Sequence, residues 1–207
     1  MPESFAPSIR QANSAFLVID VQNDFVSGSM ALPGAETIIE PINAVAGVAA
    51  HVIVVTDWHP AGHVSFASAH GVPPLAFVDV AYGTQQVWPD HCVQGSDGAE
   101  FHEGLHTEPA QMVIRKGFRS EIDSYSAFFE NDKTTHTGLE GYLRGREVSR
   151  VTLAGLATDY CVAWSAIDAV RLGFETRVKL SACRAIDLDG SLERALAEMQ
   201  AAGVTLY

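Results

Sequence analysis

Short apolar runs alternate with amphipathic segments along the chain. The runs have the length of buried strands and lie at 15–19, 52–55, 112–114, 151–154, 176–180 and 204–206. Apolar residues recur at helical spacing in the segments 35–49, 138–146, 162–172 and 191–202. Strands that alternate with helices form parallel sheets with right-handed crossovers. We therefore predict a single α/β domain over residues 1–207, with three α-β-α layers around a central, mostly parallel sheet of about six strands.

Two segments fall outside this alternation. Residues 1–13 are polar and resemble a loose arm. Residues 58–110 are rich in His, Gly and Pro and have weak periodicity. Because long irregular segments inside compact domains are usually functional, we predict that 58–110 is an insertion that binds metal and substrate.

Composition and charge exclude several classes of function. The 207 residues are 47% hydrophobic and carry a net charge of −12 at pH 7, which argues against nucleic acid and anionic membranes as partners. No apolar run is long enough to span a membrane, and the N-terminus has no signal-peptide core. Three cysteines fit free thiols in a reducing compartment. We expect a cytoplasmic protein with a small-molecule substrate.

Reactive side chains follow four of the predicted strands. Asp20, Asp57 and Lys116 end the first three strands, and Cys161 lies just past the fourth. Each has an ordinary explanation by itself, such as a cap, a strand end or a solvated charge. Together they point to function, because ligands of parallel sheets bind at the carboxyl ends of the strands.

The segment Gly155–Cys161 places a thiol at the predicted start of a helix. Thr158 or Asp159 is suited to cap that helix, and the helix dipole is expected to lower the pKa of Cys161. The alternative is a small buried core cysteine.

Asp20, Lys116 and Cys161 together have the chemistry of a catalytic triad. The thiolate is the nucleophile, the ammonium stabilises it, and the carboxylate exchanges the proton. The backbone N–H groups of Ala157 and Cys161 are candidates for an oxyanion hole.

A second group of side chains has the composition of a metal site. Asp57 and His59 are two residues apart, so they point the same way on an extended segment, and His91 can join them from the long loop. This set suits Zn²⁺ or Fe²⁺ with open positions, and His63 is either a fourth ligand or a neighbour of the substrate. Histidines in a surface loop are the alternative. We predict a structural role for Cys92 and surface or loop positions for His51, His70, His102, His106 and His136.

These residues fall within motifs that resemble the bacterial nicotinamidases, also called pyrazinamidases, of the isochorismatase-like cysteine hydrolase superfamily. The motifs run along nearly the whole chain, in the order of that family. They are Ile19–Phe25, Asp57–Pro60, His63–Ala67, Trp88–Gln94, Lys116–Gly117, Asp123–Phe128 and Gly155–Cys161.

The resemblance implies hydrolysis of nicotinamide, and of pyrazinamide, to the acid and ammonia through a thioester on Cys161, in NAD salvage. It implies the Asp20, Lys116 and Cys161 triad, and one divalent metal, Zn²⁺, Fe²⁺ or Mn²⁺, on Asp57, His59 and His91 that binds the pyridine nitrogen. It further implies a cis peptide between Leu156 and Ala157 and an isochorismatase-like fold, in a monomer or a homodimer. The implied substrate pocket consists of Phe25, Trp88, Tyr125, Leu156 and Ala157.

Three other functions are compatible with parts of this pattern. A metal-free amidase of the same fold does not need the histidines. A metallohydrolase that activates water does not need the thiol. A binding module needs neither a lysine nor an aspartate beside a cysteine.

Overall fold

The central sheet has six strands in the order β5-β2-β1-β6-β7-β8, and every pairing in it is parallel. The computed structural model describes residues 6–207 of the chain. A separate antiparallel hairpin is formed by β3 and β4. The strands are β1 Ser14–Ile19, β2 His51–Asp57, β3 Phe77–Val80, β4 Gly83–Gln86, β5 Met112–Lys116, β6 Arg150–Leu156, β7 Glu175–Arg184 and β8 Thr205–Leu206.

Helices connect these strands and pack against the sheet. Helix α3 contacts β1 and β7, while α6 packs on β7 and on α7. This arrangement confirms the predicted α/β fold around a parallel sheet of six strands. The helices are α1 Ala6–Ile9, α2 Asn23–Val26, α3 Ile39–Ala46, α4 Ala67–His70, α5 Leu139–Arg144, α6 Ala163–Arg171 and α7 Ser191–Ala202.

The order of the strands reverses beside β1. From β1 the chain builds outward through β2 and β5 on one side, and β6 begins the other side, followed by β7 and β8. A crevice forms at such a reversal, because the neighbouring connections leave in opposite directions. All six residues of β1 are buried, as its continuous apolar sequence predicts for a central strand.

Several predicted elements differ from the observed ones in extent. Strand β7 extends from Glu175 to Arg184, four residues beyond the end of the predicted strand over 176–180. The helix predicted over 35–49 consists of a 3₁₀ turn, Ala35–Ile38, followed by α3. The hairpin of β3 and β4 was not predicted, because its strands are short and mostly at least partly exposed, and their sequences lack a sustained apolar period.

The N-terminal region packs against the rest of the domain over the residues that the structure describes. Of the predicted arm over 1–13, residues 1–5 lie outside the described residues, and the remainder is not loose. Ile9 is buried in the core, and its carbonyl accepts a hydrogen bond from Ala50. Between residues 6 and 207, no helix combines the length and the apolar character needed to cross a membrane.

Gly155 allows β6 to pass close to β1 at the reversal of strand order. Its φ is +129°, and a Cβ at this position would lie 2.0 Å from the carbonyl oxygen of Ile19. Any side chain would therefore push apart the two strands that carry Asp20 and Cys161.

Replacing Gly155 by Ala is expected to lower the free energy of unfolding by about 3 kcal/mol or more, because it adds backbone strain to a direct clash. Urea denaturation measures this loss. Gly141→Ala is the control, since Gly141 lies within α5 and a Cβ there meets nothing within 4 Å. That variant should gain up to about 1 kcal/mol. Equal stabilities for the two variants would contradict the role of Gly155.

Candidate active site

The four reactive side chains predicted at the strand ends meet at one edge of the sheet. Asp20 follows β1, Asp57 ends β2, Lys116 ends β5, and Cys161 lies in the turn after β6. All four are buried. Asp57 and Lys116 are direct partners in the parallel register of β2 and β5, which places their side chains on the same face.

The ammonium of Lys116 is the centre of this group. Its Nζ lies 2.5 Å from Asp57 Oδ1, 2.9 Å from Asp20 Oδ2 and 3.4 Å from Cys161 Sγ. It also donates a hydrogen bond to the carbonyl of Ser124 at 3.1 Å. A fully buried cation needs compensating negative charge, and here the carboxylates of Asp20 and Asp57 provide it.

Burial and neighbouring charges shift the pKa values of Asp20 and Lys116 in this cluster. Burial raises the pKa of Asp20 to about 7, with Lys116 opposing this shift and Asp57 adding to it. Burial alone lowers the pKa of Lys116, but Asp20 and Asp57 raise it well above the ordinary lysine value. A carboxyl whose pKa lies near neutrality, next to a permanent cation, is suited to exchange protons with a thiol.

Cys161 lies in a single π-helical turn, Thr158–Val162, that precedes α6. Burial raises the pKa of its thiol, and Lys116 opposes the shift. The prediction that the helix start lowers this pKa is therefore wrong in net direction, because desolvation of the thiolate outweighs the favourable charges.

The predicted cap of this helix is also wrong. Asp159 does not bond to the helix start; it accepts hydrogen bonds from the backbone of Ile186 and Asp187 and from Ser191 Oγ. It thereby ties the turn to the first residue of α7 and to the segment before that helix. The peptide between Leu156 and Ala157 is cis, which confirms that expectation.

Asp57, His59 and His91 form a compact set of metal-ligand atoms. The Nε2 atoms of His59 and His91 lie 3.7 Å and 3.8 Å from Asp57 Oδ2. The Nδ1 atoms face the carbonyls of Gly117 and Pro89 at 2.9 Å and 2.8 Å. Since each Nδ1–H donates to a carbonyl, the Nε2 atom of each neutral ring is an acceptor that points to the same place. Burial opposes the charged form of His59, but Asp57 outweighs burial and raises the pKa of this ring. Burial, followed by the influence of His59, lowers the pKa of His91 to about 4, so this ring is uncharged at neutral pH.

His63 lies close to this set, but its ring nitrogens contact other polar groups. Its Nδ1 lies 2.7 Å from Ser65 Oγ, and its Nε2 lies 2.9 Å from the carbonyl of Arg119. A second compact group combines His59 and His63 with Asp123. Because both ring nitrogens of His63 already have polar partners, the geometry favours His91 as the third member of the set. The proximity of Asp123 was not predicted, since its loop has no strand or helix pattern.

Two further residues hold the metal-ligand set in position. The amide of Gln22 donates to the carbonyl of Asp57 and accepts from its N–H, both at 2.8 Å, which fixes the end of β2. Gly117 has a φ of +63°, and a Cβ there would lie 2.6 Å from Nδ1 of His59. The absence of a side chain at Gly117 therefore allows His59 to approach its carbonyl acceptor.

A cavity opens beside Cys161. Of the predicted pocket residues, Phe25, Trp88, Tyr125 and Ala157 line it, but the side chain of Leu156 lies in the core. Asp57 and His91 reach it, as do Asp123 and Ser124; the other lining residues, which the sequence did not identify, are Met30, Tyr160 and Ile186. The cavity is therefore mostly aromatic and apolar, with the thiol on one wall and the metal-ligand set on another.

The five remaining histidines are partly or fully exposed, and Cys92 is buried, with its N–H donating to Asp24 Oδ2.

Comparison with known proteins identifies the family. The Isochorismatase domain model matches residues 14–207. The chain belongs to the isochorismatase family. Within this family, it is 49% identical to the nicotinamidase of Acinetobacter baylyi over 95% of this chain and 93% of that protein. It is 41% identical to the nicotinamidase of Escherichia coli over 93% of this chain and 93% of that protein. The resemblance to bacterial nicotinamidases is confirmed.

Solved structures of this family have the same fold. A nicotinamidase/pyrazinamidase from Acinetobacter baumanii superposes with a TM-score of 0.93 at 51% identity, covering 95% of this chain and 96% of that one. PnC1 from L. infantum, solved with nicotinate, gives 0.83 at 38% identity, with 95% and 93% covered. Pyrazinamidase from Pyrococcus horikoshii, solved with zinc, gives 0.76 at 34% identity, with 94% and 98% covered.

The role of Gly117 in this isochorismatase-family site can be tested through metal affinity. Gly117→Ala is expected to weaken Zn²⁺ binding by about 10- to 100-fold, because the new methyl group displaces the His59 ring. Competition with a chromophoric chelator measures the affinity. Gly71→Ala is the matched control: its φ of +64° imposes the same backbone strain, but a Cβ there meets nothing within 4 Å. Equal weakening in both variants would show that strain, and not displacement of His59, is responsible.

Proposed function

We propose that this protein is a metal-dependent nicotinamidase, which hydrolyses nicotinamide, and also pyrazinamide, to the carboxylic acid and ammonia. The observation that carries the proposal is the placement of Cys161 Sγ 3.4 Å from Lys116 Nζ, on the wall of an aromatic cavity that the metal-ligand set also reaches. Similarity to nicotinamidases over nearly the whole chain supports the choice of substrate.

In the proposed reaction, Asp20 accepts the proton of the Cys161 thiol. The ligand atoms of Asp20, Asp57 and Cys161 all lie within 4.8 Å of one another, so this transfer is short. Lys116 stays protonated and stabilises the thiolate. The thiolate attacks the amide carbon, and the N–H groups of Ala157 and Cys161 bind the oxygen as it becomes negative.

The remaining steps return the site to its starting state. Asp20 gives its proton to the departing nitrogen, so ammonia leaves and a thioester with Cys161 forms. Asp20 then accepts a proton from a water molecule, whose oxygen attacks the thioester carbon. The carboxylic acid leaves, and the proton returns to the thiolate. One carboxyl whose pKa lies near 7 can serve as base and acid in both halves of the cycle.

Asp57, His59 and His91 would hold the divalent metal. They are the donor types that Zn²⁺ and Fe²⁺ prefer, their Nε2 atoms converge on Asp57 Oδ2, and backbone carbonyls fix both rings. A bound ion would supply a Lewis acid for the pyridine nitrogen and so orient the ring. We assign to His63 the role of supporting the loop through Arg119 and Ser65, not that of a fourth ligand. Phe25, Trp88 and Tyr125 would hold the flat ring.

The proposed physiological setting is NAD salvage in the cytoplasm. Three free cysteines, all buried, are compatible with a reducing compartment. The cation in the site is Zn²⁺ or Fe²⁺, with Mn²⁺ as a further candidate, and the enzyme acts as a monomer or a homodimer. The substrate is a neutral amide, for which the acidic surface of the protein presents no barrier.

Cys161→Ala is expected to lower kcat for nicotinamide by about 10⁴-fold or more, because the nucleophile is lost. Release of ammonia in a coupled assay measures the rate. Cys161→Ser should be nearly as inactive, since the hydroxyl is much harder to deprotonate than the thiol. Cys183→Ala, which removes another buried thiol, is the control and should keep its activity. Substantial turnover by Cys161→Ser would instead favour direct attack by water.

Removal of metal by a chelator is expected to lower kcat/KM by about 100-fold, because the ring loses its orientation relative to Cys161. Adding back Zn²⁺, Fe²⁺ or Mn²⁺ separately then identifies which ion restores the rate. Asp57→Asn should bind less metal in elemental analysis of the purified protein. Full activity in a protein with no detectable metal would instead indicate a metal-free amidase of the same family.

A further inference from the structure

The cavity beside Cys161 is too small for the proposed substrate. Its volume is about 20 Å³. An apolar cavity of about 150 Å³ accommodates benzene, and a pyridine ring with a carboxamide group is larger than benzene. Enclosing such a substrate beside the thiol therefore requires part of the wall to shift. On the side of the wall that faces the hairpin of β3 and β4, two residues differ in how firmly they are held.

A second pocket lies on the outer side of that wall. It has a volume of about 230 Å³, and the hairpin of β3 and β4 forms part of it. Most of its lining is aromatic, contributed by Phe77, Tyr82, Tyr125, Tyr160 and Trp164. We call this the outer vestibule. Among residues 6–207, only Tyr125 and Tyr160 line both the inner cavity and the outer vestibule, so these two rings form the partition between them.

Tyr125 is the fixed part of the partition. Its hydroxyl oxygen accepts hydrogen bonds from Trp88 Nε1 at 3.0 Å and from Gln85 Nε2 at 3.1 Å. Gln85 is buried and also donates to Asp123 Oδ2 at 2.9 Å. The backbone N–H of Tyr125 donates to Asn131 Oδ1 at 3.0 Å. Displacing this ring would break several buried hydrogen bonds together.

Tyr160 is the weakly held part. Its hydroxyl donates one hydrogen bond, at 3.0 Å, to Oε1 of Gln86, the last residue of β4. Its ring makes edge contacts with Trp88 at 4.9 Å and with Tyr125 at 5.6 Å between centroids. The hairpin that carries Gln86 is not part of the central sheet, and Phe77 at its start is 68% exposed. One neutral hydrogen bond contributes little net stability, so this closure is easily opened.

We infer that Tyr160 is the gate of the active site and that its hydrogen bond to Gln86 is the latch. A flat aromatic amide first stacks in the outer vestibule, the latch opens, and the ring of Tyr160 swings aside to admit the amide to Cys161. The hydrogen bond re-forms behind it and excludes water during the attack. This inference rests on the proposed function for the identity of the substrate, but the gate itself controls access of any small molecule to the thiol.

Alkylation of Cys161 by iodoacetamide measures the gate without any turnover. The second-order rate constant is followed by mass spectrometry of the peptide that contains Cys161, which separates it from the other buried thiols, Cys92 and Cys183. Tyr160→Phe removes only the hydroxyl donor. Gln86→Leu removes the acceptor, together with the 3.4 Å hydrogen bond that Gln86 Nε2 donates to the carbonyl of Leu75. Each is expected to alkylate about three- to tenfold faster than the unmodified protein, the population change that loss of one neutral hydrogen bond produces.

Two further variants distinguish a latch from general loosening. Gln86→Glu keeps an acceptor at the same position and should alkylate no faster than the unmodified protein. The double variant should match the single variants, because both substitutions remove the same bond. Unchanged rates in Tyr160→Phe and Gln86→Leu, or a Gln86→Glu rate as high as that of Gln86→Leu, would overturn the gate. If the alkylation rates follow this pattern but nicotinamide is not hydrolysed, the gate stands and the proposed substrate fails.

Discussion

The site depends on one buried ammonium. Lys116 Nζ lies within 3.4 Å of Asp57, Asp20 and Cys161, which come from three different parts of the sheet edge. Removing one partner from a buried ionic group costs about 3–5 kcal/mol, because it leaves a charge without compensation. The same ammonium that satisfies this requirement stabilises a thiolate. The electrostatics that hold β1, β2, β5 and the turn after β6 together are therefore also the electrostatics of the chemistry.

The sheet brings these charges together through its order. Asp57 and Lys116 are register partners on adjacent strands, and β1 and β6 flank the point where the strand order reverses. Gly155 lets those two strands approach, so Asp20 and the turn that carries Cys161 reach the same crevice. The metal-ligand set shares Asp57 with the charge cluster: Oδ1 faces Lys116 and Oδ2 faces the histidines. One carboxylate thus couples the proposed nucleophile to the proposed metal.

Features that depend on neighbouring residues in the sequence could be predicted, whereas features that depend on contacts between distant residues could not. The strands and the residues at their ends were predictable, because an apolar run marks a buried strand wherever it packs. The hairpin of β3 and β4 was not, since most of its residues are at least partly exposed and its buried residue, Gln85, contacts the distant Asp123 and Tyr125. Asp159 has the right residue type for a cap, yet its partners Ile186, Asp187 and Ser191 lie near α7. Tyr160 and Met30 line the cavity without belonging to any pattern of charge or polarity.

The sequence alone determined the fold class, the four residues at the sheet edge and the three candidate metal ligands, because periodicity and residue chemistry are local properties. Only the tertiary structure decided how those groups share charge. The net pKa shift of Cys161 depends on burial and on Lys116, 45 positions away along the chain. The tertiary structure likewise decided that both ring nitrogens of His63 have polar partners. It also decided that the side chain of Tyr160, which donates one hydrogen bond, lies between the inner cavity and the outer vestibule. Desolvation and hydrogen bonding depend on which distant atoms surround a group, and only folding brings those atoms together.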